Sequence, residues 1–341
     1  MNRLLLHADD FGFNDAITRG IIEGFSNGLL TGASVLTNAP AAPLAVELWK
    51  WLERLRAAGG LPSAPMRHRL GDGSMSFDDA PFDLGVHLNL TQGRPLTAPR
   101  YADELLDTEG RFLTPGKLFL KLFASGRRWR ATLNEELAAQ IEWLLDHGLG
   151  PTHLNGHQYV EMMPVVGELI PVLAQRYGVG WVRAACEPGH LRHSLWPGLR
   201  LANCGLSSIK HGYAVRFRRV LDAAGIRHAD AYFGASHAGR IDLAIVRRFL
   251  RLARSHAVSE IAFHPGQQCN EETLIWEADG WRDPLSASRP RELGLLGSTE
   301  LSELILAANF RLTRFDQRRR ERRVQMSHRQ VVHGVPARRD S

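Results

Sequence analysis

Short apolar runs alternate with longer amphipathic stretches through most of this chain, and that alternation admits few folds. Residues 4–8 (LLLHA) read as a buried strand. Asn14 is placed to cap a helix running to about residue 27, with Gly28 ending it. Residues 34–37 fall in the next strand and 44–55 in the next helix. Strand patterns return at 84–90, 151–157, 181–185, 231–233, 260–264 and 311–315. Helices are expected to end near 147 and 177 and to cover about 207–223, 240–256 and 299–308, the first opened by a capping box of Thr132 and Glu135. The Gly/Pro/Ser-rich stretch 59–81 reads as a loop or insertion, and 92–130 as an irregular cap facing a substrate. No fixed-period repeat is present.

Repeated βα units leave an open doubly wound sheet or a closed, irregular (β/α) barrel. The polar residues favour the barrel. Asp9 and Asp10, His87, His157 and His264 each fall at or just beyond the C-terminal end of an expected strand, and in a parallel barrel those ends converge on one face. A dinucleotide fingerprint after the first strand and a phosphate-binding G-x-x-x-x-G-K-[ST] loop are both missing, which disfavours nucleotide cofactors.

With 341 residues, 44% of them hydrophobic, the chain can bury one large core, expected over 1–316. The net charge of +6 invites a nucleic-acid reading, but its location argues otherwise. Residues 311–341 hold ten arginines against three acids, which leaves the rest at about −1. The excess thus sits in a tail, 317–341, read as a mobile arm. Such an arm can contact an anionic membrane surface peripherally; with 38 Arg against 4 Lys overall, a solvated tail is the simpler account, and no nucleic-acid partner is expected. Three scattered cysteines form no disulfide framework, and the early carboxylates of MNRLLLHADDFG suit neither a signal peptide nor a span. A cytoplasmic protein is expected, with a homodimer carried as its assembly.

Four segments carry chemistry. In HADDFG, two adjacent carboxylates at a strand terminus repel each other and gain from a nearby cation. In GVHLNLTQGRP, His87 and Asn89 share the face opposite Val86, Leu88 and Leu90, so His87 is a candidate ligand and Asn89 a group fixing backbone or substrate. In PTHLNGHQYVEMMP, His153 and His157 flank an Asn-Gly bend. In EIAFHPGQ, His264 runs straight into Pro265-Gly266, without a second ligand nearby, which suits acid/base work better than metal binding. YFGASHAGR adds His237 as a further candidate. Any one of these is commonly a solvated turn or a satisfied structural histidine; only their shared end of the strands raises them. One Asp and two His make a workable site for a hydrolytic metal with an open position.

The ordered motifs ADDFG, RGIIEGFSNGLLTGASVLTN, GVHLNLTQGRPL, PTHLNGH and HPG resemble the YdjC-like carbohydrate deacetylases, over nearly the whole chain to about Phe315. The group includes chitooligosaccharide deacetylase and the hopanoid-biosynthesis-associated deacetylase. The resemblance implies an irregular (β/α) barrel of the glycoside hydrolase/deacetylase type. It implies one divalent ion, zinc or magnesium, on Asp10, His87 and His157, with Asp9 as general base and His264 as acid or oxyanion partner. Asn89, Asn155, Arg183 and His237 are assigned to the substrate, an N-acetylated sugar or glycolipid of the N-acetylglucosamine type. The chain departs from the family pattern at Asn155, Gly156, Gln158, Tyr159 and Glu161, where D-S-H-x-H-x-H is usual. Asn-Gly-His is closer to the hopanoid-associated branch, which points to a lipid-linked sugar. Two alternatives stand beside this reading: a metal-dependent phosphoester hydrolase, and a non-catalytic sugar-binding protein with a degenerate site.

Overall fold

The computed structural model describes residues 2–58, 82–98, 100–188, 201–269 and 280–315. Among them run eight strands: β1 (Asn2–Phe11), β2 (Gly32–Val35), β3 (Asp83–Leu88), β4 (His153–Gly156), β5 (Trp181–Val182), β6 (Ala231–Phe233), β7 (Val258–Phe263) and β8 (Phe310–Leu312). Interspersed are helices α1 (Asp15–Ser26), α2 (Ala42–Ala57), α3 (Pro115–Ser125), α4 (Arg130–Asp146), α5 (Val166–Arg176), α6 (Leu201–Ala223), α7 (Leu243–Ala253), α8 (Arg289–Leu296) and α9 (Thr299–Ala307).

Every strand pairing is parallel, in the order β5-β4-β3-β2-β1-β7-β6. β8 pairs with Asn2–Leu4 of β1, before β2 joins at His7. Among the described residues, a few bonds close the curled sheet. Val182 N–H donates to Arg227 O (2.9 Å), Arg227 N–H to Gly180 O (3.1 Å) and Tyr232 N–H to Cys186 O (3.2 Å), linking β5 to the approach to β6. The expected irregular (β/α) barrel is the fold found.

Strand parity decides what lies inside. Leu4, Leu6 and Ala8 of β1 join the large core beneath the helices, whereas Leu5 packs in a separate small cluster with Ala229, Val258 and Phe315. Leu5, His7 and Asp9 therefore share the inner face. Helices cover the outside through periodic apolar stripes. Asn14 caps α1 by accepting from Ile17 N–H (2.8 Å), and Ile17, Ile21 and Phe25, four apart, form its buried face. Each such side chain contributes about 1.5–3 kcal/mol by leaving water.

Two expectations are corrected. Residues 92–130 are not irregular throughout, because α3 lies there, with Pro115 at its first turn. The capping box at Thr132 is not used: a 3-10 turn, Gly126–Trp129, runs straight into α4, so Thr132 already sits inside the helix. The insertion at 59–81 and the arginine tail at 317–341 lie outside the described residues. Among the described residues, no helix is long and apolar enough to cross a membrane.

Candidate metal centre and its cavity

Neighbouring residues of a regular strand point to opposite faces, so Asp9 and Asp10 should diverge. They do not, because β1 breaks its pattern at that point. Its register with β2 slips by one residue between Ala8 and Phe11, and Asp10 adopts a left-handed φ of 67°. The bulge turns both carboxylates to the mouth of the barrel. Gly12 follows with a φ of 92°, and a Cβ there would sit 3.0 Å from Ala42 Cα. A left-handed aspartate costs roughly 1–2 kcal/mol, offset by what its carboxylate then reaches.

Asp10 Oδ1 lies 3.0 Å from His157 Nδ1 and 3.5 Å from His87 Nε2. One ligand atom from each of the three side chains, all buried, falls within 4.8 Å of the others. Small side-chain movements would bring them to the 2.0–2.2 Å that a bound cation needs, so the donor set fits one divalent ion. The surroundings fix the imidazoles. Asn155 Nδ2 donates to Asp9 Oδ1 (3.2 Å), which leaves Asn155 Oδ1 to accept His87 Nδ1–H (2.9 Å) and directs His87 Nε2 to the site. Gln92 Oε1 accepts Arg282 N–H (2.8 Å), so its amide nitrogen faces His157 Nε2 at 3.1 Å.

Asp10 Oδ2 accepts from Arg289 Nη2 (2.8 Å). Burial pushes the Asp10 carboxyl up, but the Arg289 charge and the hydrogen bonds of His157 and His87 reverse this and hold it well below the usual carboxylate range. Burial also lowers His87, yet Asp9 and Asp10 together raise it above an ordinary histidine. Its proton occupies the place a cation would take. In His157 burial prevails and the net shift is downward.

Asp9 sits one layer deeper. Arg183 grips it with Nη1 on Oδ2 (2.7 Å) and Nη2 on Oδ1 (2.8 Å), and also holds Glu260 (2.7 and 2.9 Å). Desolvation raises Asp9, and the Arg183 charge, followed by His87 and His7, carries it well below its usual range. Behind it, His7 Nε2 meets His153 Nε2 at 2.7 Å across the barrel interior. Gly85 makes room for that ring, since a Cβ there would run into His153. His264 stands at the end of β7, its Nε2 3.9 Å from Asp9 Oδ2 and its backbone N–H on Glu292 Oε2 (2.7 Å).

These groups open on a cavity of about 550 Å³ whose walls include Phe13, Phe119, Tyr159, Met162 and Tyr213. Asp9, Asp10, His87, His157 and His264 line it. Asn89, Asn155, Arg183 and His237, expected at the substrate, are not among its lining residues. Asn89 folds onto Asn38, Thr91 and Gln92, Asn155 and Arg183 stand behind the carboxylates, and the His237 ring lies edge-on to Phe249. Alternation along the strand pointed to Asn89 alone, and neither it nor the family resemblance gives the depth of these side chains. Several cavity residues carried no such signal in sequence: Gln92, Arg282 and Asp283 come from loops, Arg289 from the start of α8 and Lys210 from the middle of α6. His7 had one, as the residue two before Asp9 on the same strand face. Glu161, between β4 and α5, is buried with both carboxylate oxygens unpartnered, and burial pushes it up to about 8.

A parallel (β/α) barrel with an Asp–His–His cluster in a cavity at its C-terminal mouth defines a barrel protein with a candidate metal centre. The chain belongs to the YdjC-like family: the family model described as YdjC-like protein matches residues 3–307. A mouse protein named carbohydrate deacetylase is 31% identical over 282 residues, covering 77% of this chain and 78% of its own length. The human protein of that name is likewise 31% identical, covering 77% and 75%. A solved structure from Enterococcus faecalis, of a protein named for cellobiose-phosphate cleavage, shares the fold at a TM-score of 0.62 and 20% identity, over 92% of this chain and 98% of that one.

Proposed function

We propose that this chain is a metal-dependent carbohydrate deacetylase that hydrolyses the N-acetyl group of a sugar or glycolipid. The convergence of Asp10, His87 and His157 beside Asp9 and His264 in one cavity is the observation that carries the reading. The names of the relatives supply the substrate class.

Asp10, His87 and His157 would hold the ion, and two imidazole nitrogens with one carboxylate suit zinc better than magnesium, which prefers oxygen ligands. Bound there, such an ion supplies Lewis-acid polarisation of the amide carbonyl and acidifies water. Asp9 is the proton acceptor. Its Oδ1 is taken by Arg183, Asn155 and His7, whereas Oδ2 has Arg183 alone and keeps a lone pair toward the cavity. The Arg183 pair makes Asp9 a poor long-term home for a proton. In this reading His264, whose Nε2 is 3.9 Å from Asp9 Oδ2, takes that proton on and delivers it to the leaving nitrogen. The carboxylate thus opens the reaction and the imidazole closes it.

The apolar walls favour a substrate with an apolar portion. A second groove of about 610 Å³ adjoins the cavity through Met162, Met163 and Tyr213 and is walled by Leu122, Val165 and Phe217. Phe123 at its edge is 70% exposed. In this reading the arginine tail attracts the anionic membrane that holds such a substrate. Truncation after Phe315 is expected to weaken binding to phosphatidylglycerol vesicles and to leave turnover of soluble substrate intact.

The test is acetate release by zinc-loaded protein from free N-acetylglucosamine, its oligomers and its alkyl glycosides. Alkyl glycosides are expected to be the best of the three. The Asp10→Asn/His157→Asn double variant is expected to be inactive; full activity in it would refute the assignment.

A further inference from the structure

We propose that Arg289 is a substrate-contacting residue whose Nη1 binds the carbonyl oxygen of the scissile acetamide, an inference that rests on the deacetylase reading above. Arg289 opens α8, is 2% exposed and lines the cavity. A guanidinium carries five N–H donors in a rigid fork. Nε and one Nη2 proton grip Asp283 (2.7 and 2.9 Å), and the other Nη2 proton goes to Asp10 Oδ2 (2.8 Å). Nη1, with two protons, is buried and has no partner.

Planarity makes this omission informative. The Nη2 proton on Asp10 has a parallel neighbour on Nη1, and a carboxylate facing that edge normally closes both prongs. Asp10 cannot, because its Oδ1 is turned toward His157 and His87. The second prong is therefore left open beside Asp10, next to the three candidate ligands. Arg289 Cζ also lies over the Phe13 ring, 5.9 Å from its centroid, so an aromatic wall of the cavity packs beside the guanidinium. An unpaired buried donor costs about 1–3 kcal/mol, more when charged, and a wall that a ligand completes is where that cost is recovered. During acetamide hydrolysis negative charge collects on the carbonyl oxygen, and a fixed cationic donor is worth more there than on the neutral amide.

Arg289→Lys keeps the charge and the reach to Asp10 but removes the second prong. With an alkyl N-acetylglucosaminide, kcat is expected to fall about 100–1000-fold while KM rises by no more than about tenfold. Zinc affinity, read by chelator competition, is expected to stay within about threefold of the wild type. In metal-free protein, calorimetric affinity for N-acetylglucosamine is expected to drop about tenfold, and that for glucosamine, which has no carbonyl, not to change. Wild-type kcat in the variant, or a loss of kcat matched by an equal loss of zinc affinity, would overturn the proposal, the latter because Arg289 would then act only through Asp10. Should the variant fail to fold, a crystal of the unmutated protein with N-acetylglucosamine decides it: the carbonyl oxygen lies about 3 Å from Nη1, or the proposal is wrong. No acetate from the unmutated protein would instead sink the deacetylase reading and this inference with it.

Discussion

Asn155 Oδ1 lies 2.9 Å from His87 Nδ1, and the orientation of that amide is set by its other end, which donates to Asp9. One neutral side chain thereby ties the Asp9 carboxylate to a candidate metal ligand. Asn155→Leu is expected to lower zinc affinity about 10–100-fold, measured by chelator competition, because His87 Nδ1–H loses its acceptor and the ring its orientation. Unchanged affinity would show that His87 is held by packing alone.

Arg183 is the only cation bonded to both Asp9 and Glu260 among the described residues. Arg183→Met leaves two buried carboxylates without it and is expected to cost about 3–5 kcal/mol at pH 7. The sign follows from Asp9. Its folded-state value is depressed, so its contribution is present above the unfolded carboxylate range and is lost only as pH falls through that depressed value. The variant's deficit should therefore be largest at neutral pH and shrink toward about pH 4, where the freed Asp9 carboxylate protonates. Urea melts across that range check it, and a deficit independent of pH would contradict it.

Glu161 titrates in the opposite sense. Burial raises its folded value to about 8, so the folded state holds the proton more tightly than the unfolded chain. Its penalty is absent below the unfolded value, grows as pH rises from about 4.5 to 8, and is then complete, on the order of a few kcal/mol. Glu161→Gln is expected to raise the melting temperature of metal-free protein at pH 8 and to leave it unaltered near pH 4.5. A variant less stable than the wild type at pH 8 would mean that the carboxylate has a partner in solution.

On the proposed role of its ring in proton transfer, His264→Asn is expected to reduce kcat about 100–10,000-fold while zinc stoichiometry stays the same. Loss of bound metal in this variant would instead make His264 a ligand.

Much of this was legible in the chain because strand ends are. The runs LLLHA, LGVHLNL and EIAFH read as buried strands, and polar residues at or beyond their C-terminal ends gave the barrel its functional face. Depth was not legible. Parity puts Asp9, Asn155 and Arg183 on the inner face, but only register says which of them reaches the cavity and which stands behind. Nor could alternation foresee the left-handed Asp10, which brings two adjacent carboxylates to one side. Arg289 lay furthest from view: it meets Asp10 across 279 positions, from a helix end with no motif to mark it.

The central claim is that Asp10, His87 and His157 share one cation. Anomalous diffraction from zinc-loaded crystals of active protein tests it most directly. The account predicts a single strong peak at about 2.0–2.2 Å from one carboxylate oxygen and two imidazole nitrogens of these residues. Activity with the metal bound elsewhere, or with none bound, would contradict it.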